Sequence, residues 1–148
     1  MSVASICGLI GFDLASIYCS TQFALAGWSE SLSLELARFG IHATVVYPGT
    51  FRTDFLDRTS AVHEDLSIDD YAEITAAATR ARDAANHRQA GDPVAFGHAM
   101  VALANASEPP VSFAAGSDAV QVMIERAEYL QSNAKNWHDL SISTDIVG

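Results

Sequence analysis

The feature that most constrains the fold is a long helical pattern, from about Ser16 to Phe39, that runs directly into a β-prone segment. Apolar residues recur along it at three- and four-residue steps: Leu25, Trp28, Leu32, Leu36 and Phe39. Gly40 follows where a left-handed helix cap would lie, and Ile41 to Tyr47 is predicted to be a strand covered on both faces. A helix that leads into a buried strand is typical of an α/β layered fold.

A second line on the same helix consists of the small residues Ala24, Gly27 and Ser31. Small side chains at helical spacing let another backbone approach closely, so we expect close packing along this line. That packing fits either the core of this chain or a contact with a second molecule.

The rest of the chain alternates between helix signals and one further strand. Ser67 to Asp70 resembles a capping box that opens an alanine-rich, weakly anchored helix ending near Arg88, after a surface loop from Thr50 to Ser67. Asp92-Pro93 is a helix start for a segment that carries Phe96, Met100 and Leu103. A short strand is predicted from Val111 to Ala114.

A final helix follows Gly116-Ser117, with Val120, Ile124, Ala127 and Leu130 on one apolar face, and the tail after Trp137 has no clear pattern. Two predicted strands cannot form a parallel sheet that is covered on both faces. We therefore expect further strands upstream of Met1 in a longer reading frame, or strands supplied by a partner.

Charge and composition exclude several classes of function. The net charge is -10 and Lys135 is the single lysine, which disfavours binding to nucleic acid or to anionic membranes. No apolar run reaches the roughly 20 residues that span a bilayer, and the apolar start has no basic residue before it, so neither a membrane span nor a secretory signal is expected. Cys7 and Cys19 fit free thiols of a reducing compartment, so we expect a cytoplasmic protein. The five histidines have no metal-ligand spacing, so no metal site is expected.

The residues that carry chemistry begin with Ser5, Tyr18 and Gln22. Tyr18 follows Ser5 by thirteen residues, and Gln22 lies four residues further on, where both side chains share one helix face. A free tyrosine has a pKa of about 10, so a tyrosine that acts as a general base at neutral pH needs a nearby positive charge. Gln22 is neutral and cannot supply that charge, although its amide can still form hydrogen bonds.

These spacings resemble those of the classical short-chain dehydrogenase/reductase family, which has a serine, a tyrosine thirteen residues later and a lysine four residues after the tyrosine. The resemblance extends to Gly8, Pro48, Gly49, Thr53 and the Gly116-Ser117 segment, and so covers nearly the whole chain. It departs from the family at Gln22, which has the place of the lysine. The resemblance implies an α/β fold, namely the C-terminal half of a Rossmann-like, doubly wound parallel sheet over residues 1–148.

The resemblance also implies roles for individual residues. Ser5 would hold the substrate oxygen, Tyr18 would exchange a proton with it, and Pro48, Gly49 and Thr53 would contact the nicotinamide end of NAD or NADP. Arg52 and Asp54 would either contact substrate or phosphate or form a solvated loop pair. The substrate would be a small alcohol or ketone, and the residues that distinguish NAD from NADP would lie in the other half of the fold.

What this chain does alone is a separate question from its family. It contains no glycine-rich dinucleotide turn, so we expect an oxidoreductase that is truncated and impaired or inactive as this chain. The alternative is a non-catalytic partner that associates with a full-length relative through the helix at 16–39. Self-association through the same helix is also expected, because the family builds a subunit interface there.

Overall fold

The computed structural model describes residues 1–57, 59–60 and 68–146. Three parallel strands form one sheet in the order β1 (Ser2–Val3), β2 (Val45–Pro48) and β3 (Ser112–Ala115). The helices are α1 (Ser16–Ala37), α2 (Asp69–Ala85), α3 (Pro93–Ala104), α4 (Ser117–Asn136) and α5 (His138–Ile142). Short 3-10 turns at Ile6–Gly8 and Asp54–Leu56 follow β1 and β2 respectively.

Strand β2 organises the core because its side chains alternate between the two faces of the sheet. Val45 and Tyr47 pack with Ala26 of α1, while Val46 packs with Leu103 of α3 on the opposite face. Helices therefore cover the sheet on both sides, which is the arrangement of a partial Rossmann-like α/β fold and confirms the predicted fold class.

Helix α1 has nearly the predicted bounds, and Gly40 has the expected left-handed backbone with φ of +67°. The predicted apolar stripe is only partly buried: Leu25 packs against the core, whereas Trp28 and Phe39 are exposed. The buried residues of α1 are Cys19, Ala26 and Ser29, whereas the predicted line of small residues faces outward. A Cβ atom added at Gly27 would meet nothing within 4 Å, so the expectation of close packing along this line is wrong within this chain.

Several smaller expectations also need correction. Strand β1 was not predicted, because two paired residues are too short to give a periodic signal. Strand β2 begins at Val45 rather than Ile41, and α5 follows Trp137 where no pattern was found. The predicted apolar face of α4 is exposed, and the helix packs instead through Ala119 and Met123.

The two central helices differ in how they are capped. The Asp92 side chain accepts a hydrogen bond from the Val94 N–H at 2.8 Å, which confirms the predicted start of α3. Helix α2 begins at Asp69 with Ile68 at its N-cap and no side-chain cap, and the predicted capping residue Ser67 lies outside the described residues. Helix α2 contains no buried residue, as expected for a weakly anchored helix. In the part of the chain that the structure describes, no helix combines the length and apolar character needed to cross a membrane.

Candidate active site

Ser5 lies just beyond the carboxyl end of β1, where it caps the first 3-10 turn. Its Oγ accepts a hydrogen bond from the Cys7 N–H at 3.2 Å, in extended backbone geometry. A serine hydroxyl has one hydrogen to donate in addition to its acceptor lone pairs. The cap therefore holds the Ser5 side chain by its oxygen and does not use its hydroxyl hydrogen.

Tyr18 lies in the first turn of α1, and its ring packs against the ring of Phe55 with 6.4 Å between the two ring centroids. The turn that follows Ser5 packs closely on this helix because of Gly8. A Cβ atom at Gly8 would lie 3.0 Å from the backbone oxygen of Gln22 and 3.3 Å from the Tyr47 ring. The glycine thus lets the segment that carries Ser5 approach the helix that carries Tyr18.

Pro48, Gly49 and Thr53 follow the carboxyl end of β2. Thr53 caps the second 3-10 turn, with its Oγ1 accepting from the Phe55 N–H at 3.4 Å. The loop is fastened to α4 by Asp118, whose Oδ2 accepts hydrogen bonds from the Thr50 N–H and the Thr50 hydroxyl, both at 2.7 Å. A side chain at Gly49 would overlap the Asp118 carboxylate, so this contact requires a glycine.

These three segments meet around one cavity of about 510 Å³ at the carboxyl ends of β1 and β2. Of the six residues that the sequence identifies as site residues, five line this cavity: Ser5, Tyr18, Pro48, Gly49 and Thr53. The cavity, which is mostly apolar, is therefore lined by three residues with hydroxyl groups: Ser5, Tyr18 and Thr53. Hydroxyl groups in this setting can hold and protonate a ligand oxygen.

Gln22 is the sixth residue, and the structure does not bring it to this cavity. It occupies the next turn of α1 after Tyr18, but its side-chain amide donates to the Thr21 hydroxyl at 3.3 Å. The spacing along the helix is as predicted, whereas the side chain is turned to a local partner.

The cavity also contains residues that the sequence did not single out, among them Cys7, Arg82 and Gln89. Burial raises the pKa of the Cys7 thiol; a hydrogen bond involving Ser5 opposes this rise, and neighbouring Cys19 adds to it. Cys7 is therefore a neutral thiol near pH 7. Arg82 and Gln89 reach the cavity from α2 and from the turn after it, and no local sequence pattern marks such a long-range contact.

The Arg52 side chain does not form the predicted solvated pair with Asp54. Its guanidinium donates two hydrogen bonds to the Gln89 carbonyl oxygen, at 3.2 and 3.0 Å. Its backbone N–H also donates to the Gly91 carbonyl at 2.9 Å. Arg52 thus ties the loop after β2 to the segment that contains Gln89.

Beside the cavity, Asp54, Asp57 and His87 offer ligand atoms within 4.8 Å of one another, although the sequence predicts no metal site. The Asp57 Oδ1 atom already contacts His87 Nε2 at 3.0 Å and accepts from the Asn86 amide. Asp54 and His87 are exposed, and the bonds of Asp57 join the second 3-10 turn to the segment that follows α2.

Comparison with known proteins gives a consistent set of similarities. A family model described as short chain dehydrogenase matches residues 1–64. Oxidoreductase BOA17 of Botryotinia fuckeliana is 29% identical over 142 residues, which cover 96% of this chain and 51% of that protein. The uncharacterized oxidoreductase YusZ of Bacillus subtilis is 39% identical over 72 residues, covering 49% of this chain and 26% of that protein.

A solved structure gives the same result in three dimensions. The short-chain dehydrogenase from Streptomyces avermitilis superposes with a TM-score of 0.79 at 28% identity, covering 97% of this chain and 51% of that one. The chain thus spans about half the length, or less, of these relatives.

Proposed function

Since the chain belongs to the short-chain dehydrogenase/reductase family of oxidoreductases, we propose that residues 1–148 form the C-terminal part of a domain that interconverts an alcohol and a carbonyl with NAD or NADP. The observation that carries the proposal is the shared cavity lined by Ser5, Tyr18 and Thr53. The substrate is a small alcohol or ketone that reaches this cavity.

In the proposed reaction, Ser5 and Tyr18 act on the substrate oxygen. The Ser5 hydroxyl, held by its cap interaction with Cys7, donates a hydrogen bond that stabilises negative charge on that oxygen. In reduction, the Tyr18 phenol donates its proton to the carbonyl oxygen and becomes a phenolate; in oxidation, the phenolate takes the proton from the alcohol. The ring of Tyr18 packs against the ring of Phe55.

The residues present fit one end of a nicotinamide cofactor. Pro48, Gly49 and Thr53 line the cavity, and the Thr53 hydroxyl keeps its hydrogen free for a carboxamide because its oxygen accepts from Phe55. When bound, the cofactor supplies the hydride chemistry at the substrate carbon. The 148 residues contain no Gly-x-Gly-x-x-Gly turn for the pyrophosphate, so this chain offers only the nicotinamide end of the site.

We propose that the chain alone turns over slowly or not at all. Gln22 occupies the place of the family lysine, carries no charge and bonds to Thr21, so it does not favour the phenolate form of a tyrosine. Half of the dinucleotide site is also outside the 148 residues. Both features reduce catalysis, and they can be separated experimentally.

The test is a chimera that joins the amino-terminal half of the Streptomyces avermitilis dehydrogenase to residues 1–148. Oxidation of NADH and NADPH is followed by absorbance with a panel of small ketones. We expect no turnover from the 148-residue chain and a rate at least about tenfold higher for the Gln22→Lys chimera than for the Gln22 chimera, since one pKa unit corresponds to about 1.36 kcal/mol.

Tyr18→Phe in the Gln22→Lys chimera serves as the matched control and should reduce the rate to background. Strong turnover by the purified 148-residue chain, or an undiminished rate after Tyr18→Phe, would show the proposal to be wrong. Folding of each chimera is checked by circular dichroism so that a lost rate can be assigned to chemistry.

A second candidate function is a non-catalytic partner that associates with a full-length relative, or with itself, through α1. It is favoured by apolar side chains that α1 leaves exposed, with Ile17 and Leu34 each 79% accessible and Trp28 56% accessible. These residues flank the open line at Gly27. Size-exclusion chromatography with and without the Streptomyces avermitilis dehydrogenase tests this candidate, and a monodisperse monomer in both runs would argue against it.

We also infer a cytoplasmic location. It is supported by Cys7 and Cys19, which are both free thiols, as is usual in a reducing compartment. Localisation of a tagged full-length gene product tests this inference.

A further inference from the structure

Arg82 introduces a positive charge into a cavity that is otherwise neutral. It projects from the last turn of α2 and lines the same 510 Å³ cavity as Ser5 and Tyr18. Among the described residues that line this cavity, Arg82 is the one with a charged side chain. The lining of this cavity also includes the apolar side chains of Phe12, Phe55 and Leu56.

The Arg82 side chain has no hydrogen bond or ion pair with any other part of the chain that the structure describes. Arg82 also lines an adjoining cavity of about 530 Å³, and Asp13 is the one acidic residue among the described residues that line it. The Asp13 carboxylate accepts a hydrogen bond from the Leu14 N–H at 2.9 Å and forms no ion pair with Arg82. A position near the end of a helix favours a cation, but it does not account for a half-buried guanidinium that faces a cavity.

Gln89 provides a second and independent indication of a ligand. It is 8% exposed, lines the same cavity, and its side-chain Oε1 is buried without a hydrogen-bond partner. Its backbone is held in place by the two hydrogen bonds from Arg52. A buried acceptor is normally satisfied, and the part of the chain that the structure describes offers this amide oxygen no donor.

We propose that the cavity binds a hydroxy acid or an oxo acid, with the carboxylate paired to Arg82. The inference rests on the proposed function for the other end of the ligand, where the reacting oxygen lies between Ser5 and Tyr18. An arginine fork matches the two oxygens of a carboxylate, which a neutral alcohol does not offer. The apolar lining contacts the carbon chain between the two ends.

The test measures binding to the 148-residue chain by NMR titration, with hydroxyhexanoate as the anionic probe and hexanediol as its neutral counterpart. We expect the acid to bind at least about tenfold more tightly than the diol, which corresponds to about 1.4 kcal/mol. Arg82→Gln should remove this preference, and Arg82→Lys should restore part of it. Arg80→Gln, an exposed arginine on the same helix that lines neither cavity, is the matched control and should leave the preference intact.

The variants also distinguish this inference from the proposed function. Equal affinity for acid and diol, or an equal loss in Arg80→Gln and Arg82→Gln proteins of unchanged thermal stability, overturns the inference. Loss of the preference for the acid in Arg82→Gln upholds the carboxylate site. If Tyr18→Phe binds hydroxyhexanoate as wild type does, that result contradicts the proposed function and leaves the carboxylate site standing.

Discussion

Replacing Asp118 by asparagine tests how the loop that carries Pro48, Gly49 and Thr53 is held in place. The carboxylate accepts hydrogen bonds from the Thr50 N–H and hydroxyl at 2.7 Å and from the Ala119 N–H at 2.9 Å. An asparagine amide keeps one oxygen but presents an NH₂ group to the other donors. A hydrogen bond to a charged group contributes about 1.5–3 kcal/mol, so after allowance for partial exposure we expect a loss of about 2 kcal/mol in the free energy of unfolding at pH 7.

The pH dependence of that loss identifies its cause. Burial opposes ionisation, but the hydrogen bonds from Thr50 and Ala119 outweigh it and lower the pKa of Asp118 below its ordinary value of 3.8. A lowered pKa in the folded state stabilises the protein above the ordinary value, and this stabilisation is lost as the pH falls through the folded-state value. The difference between wild type and Asp118→Asn should therefore be full at pH 7 and shrink below about pH 4.

Urea unfolding followed by circular dichroism at pH values from 7 down to 3 measures this difference. Asp145→Asn, an exposed aspartate near the end of the chain, is the control and should change stability little at any pH. Unchanged stability of Asp118→Asn at pH 7 would refute the reasoning. A difference that persists undiminished at pH 3 would show that the charge-assisted hydrogen bonds are not its source.

Three further predictions concern single positions. Gly27→Ala should raise the free energy of unfolding by about 0.5–1 kcal/mol, because the site is helical and open, and destabilisation would instead indicate a buried contact between molecules. Gly49→Ala should lower the thermal midpoint markedly, since the new Cβ overlaps the Asp118 carboxylate, and a neutral result in differential scanning calorimetry would contradict this packing. Burial and nearby Glu30 raise the pKa of Tyr47, despite a hydrogen bond with Ser112 that lowers it. The neutral phenol therefore stabilises the fold below the pKa of the unfolded state, and this stabilisation is lost as the pH rises through the folded-state pKa. Tyr47→Phe should thus remove the loss of stability above about pH 10. Tyr129→Phe, at an exposed position, should keep the wild-type alkaline profile in urea titrations.

Long helices and the central strand could be predicted from the sequence because residue type and spacing indicate the kind of element, whereas the apolar face predicted for α4 is exposed. Helix α1 and the cap at Asp92 match the expected positions, as does the left-handed backbone at Gly40. Strand β1 could not be predicted, since its two residues are defined by hydrogen bonds to β2 rather than by their own pattern. The outward-facing line at Gly27 shows that small residues permit close packing without requiring it.

The site could be predicted in part. The thirteen-residue spacing predicted that Ser5 and Tyr18 belong to one site, and both residues line the same cavity. Ser5 follows the carboxyl end of β1, and Tyr18 lies in the first turn of α1, which packs on the turn after Ser5. Gln22 was placed correctly on the helix, but its side-chain partner depends on a rotamer that spacing does not specify. Arg82 and Gln89 belong to a distant helix and turn, so their presence in the cavity follows from tertiary packing alone.

The central claim is that the Ser5 hydroxyl and the Tyr18 phenol act on the same ligand oxygen. An NMR titration of the 148-residue chain with hydroxyhexanoate tests it by following the side-chain signals of both residues. The account predicts that both signals shift with one dissociation constant and that Ser5→Ala weakens the response at Tyr18. Shifts at one residue without the other, or two unrelated dissociation constants, would contradict it.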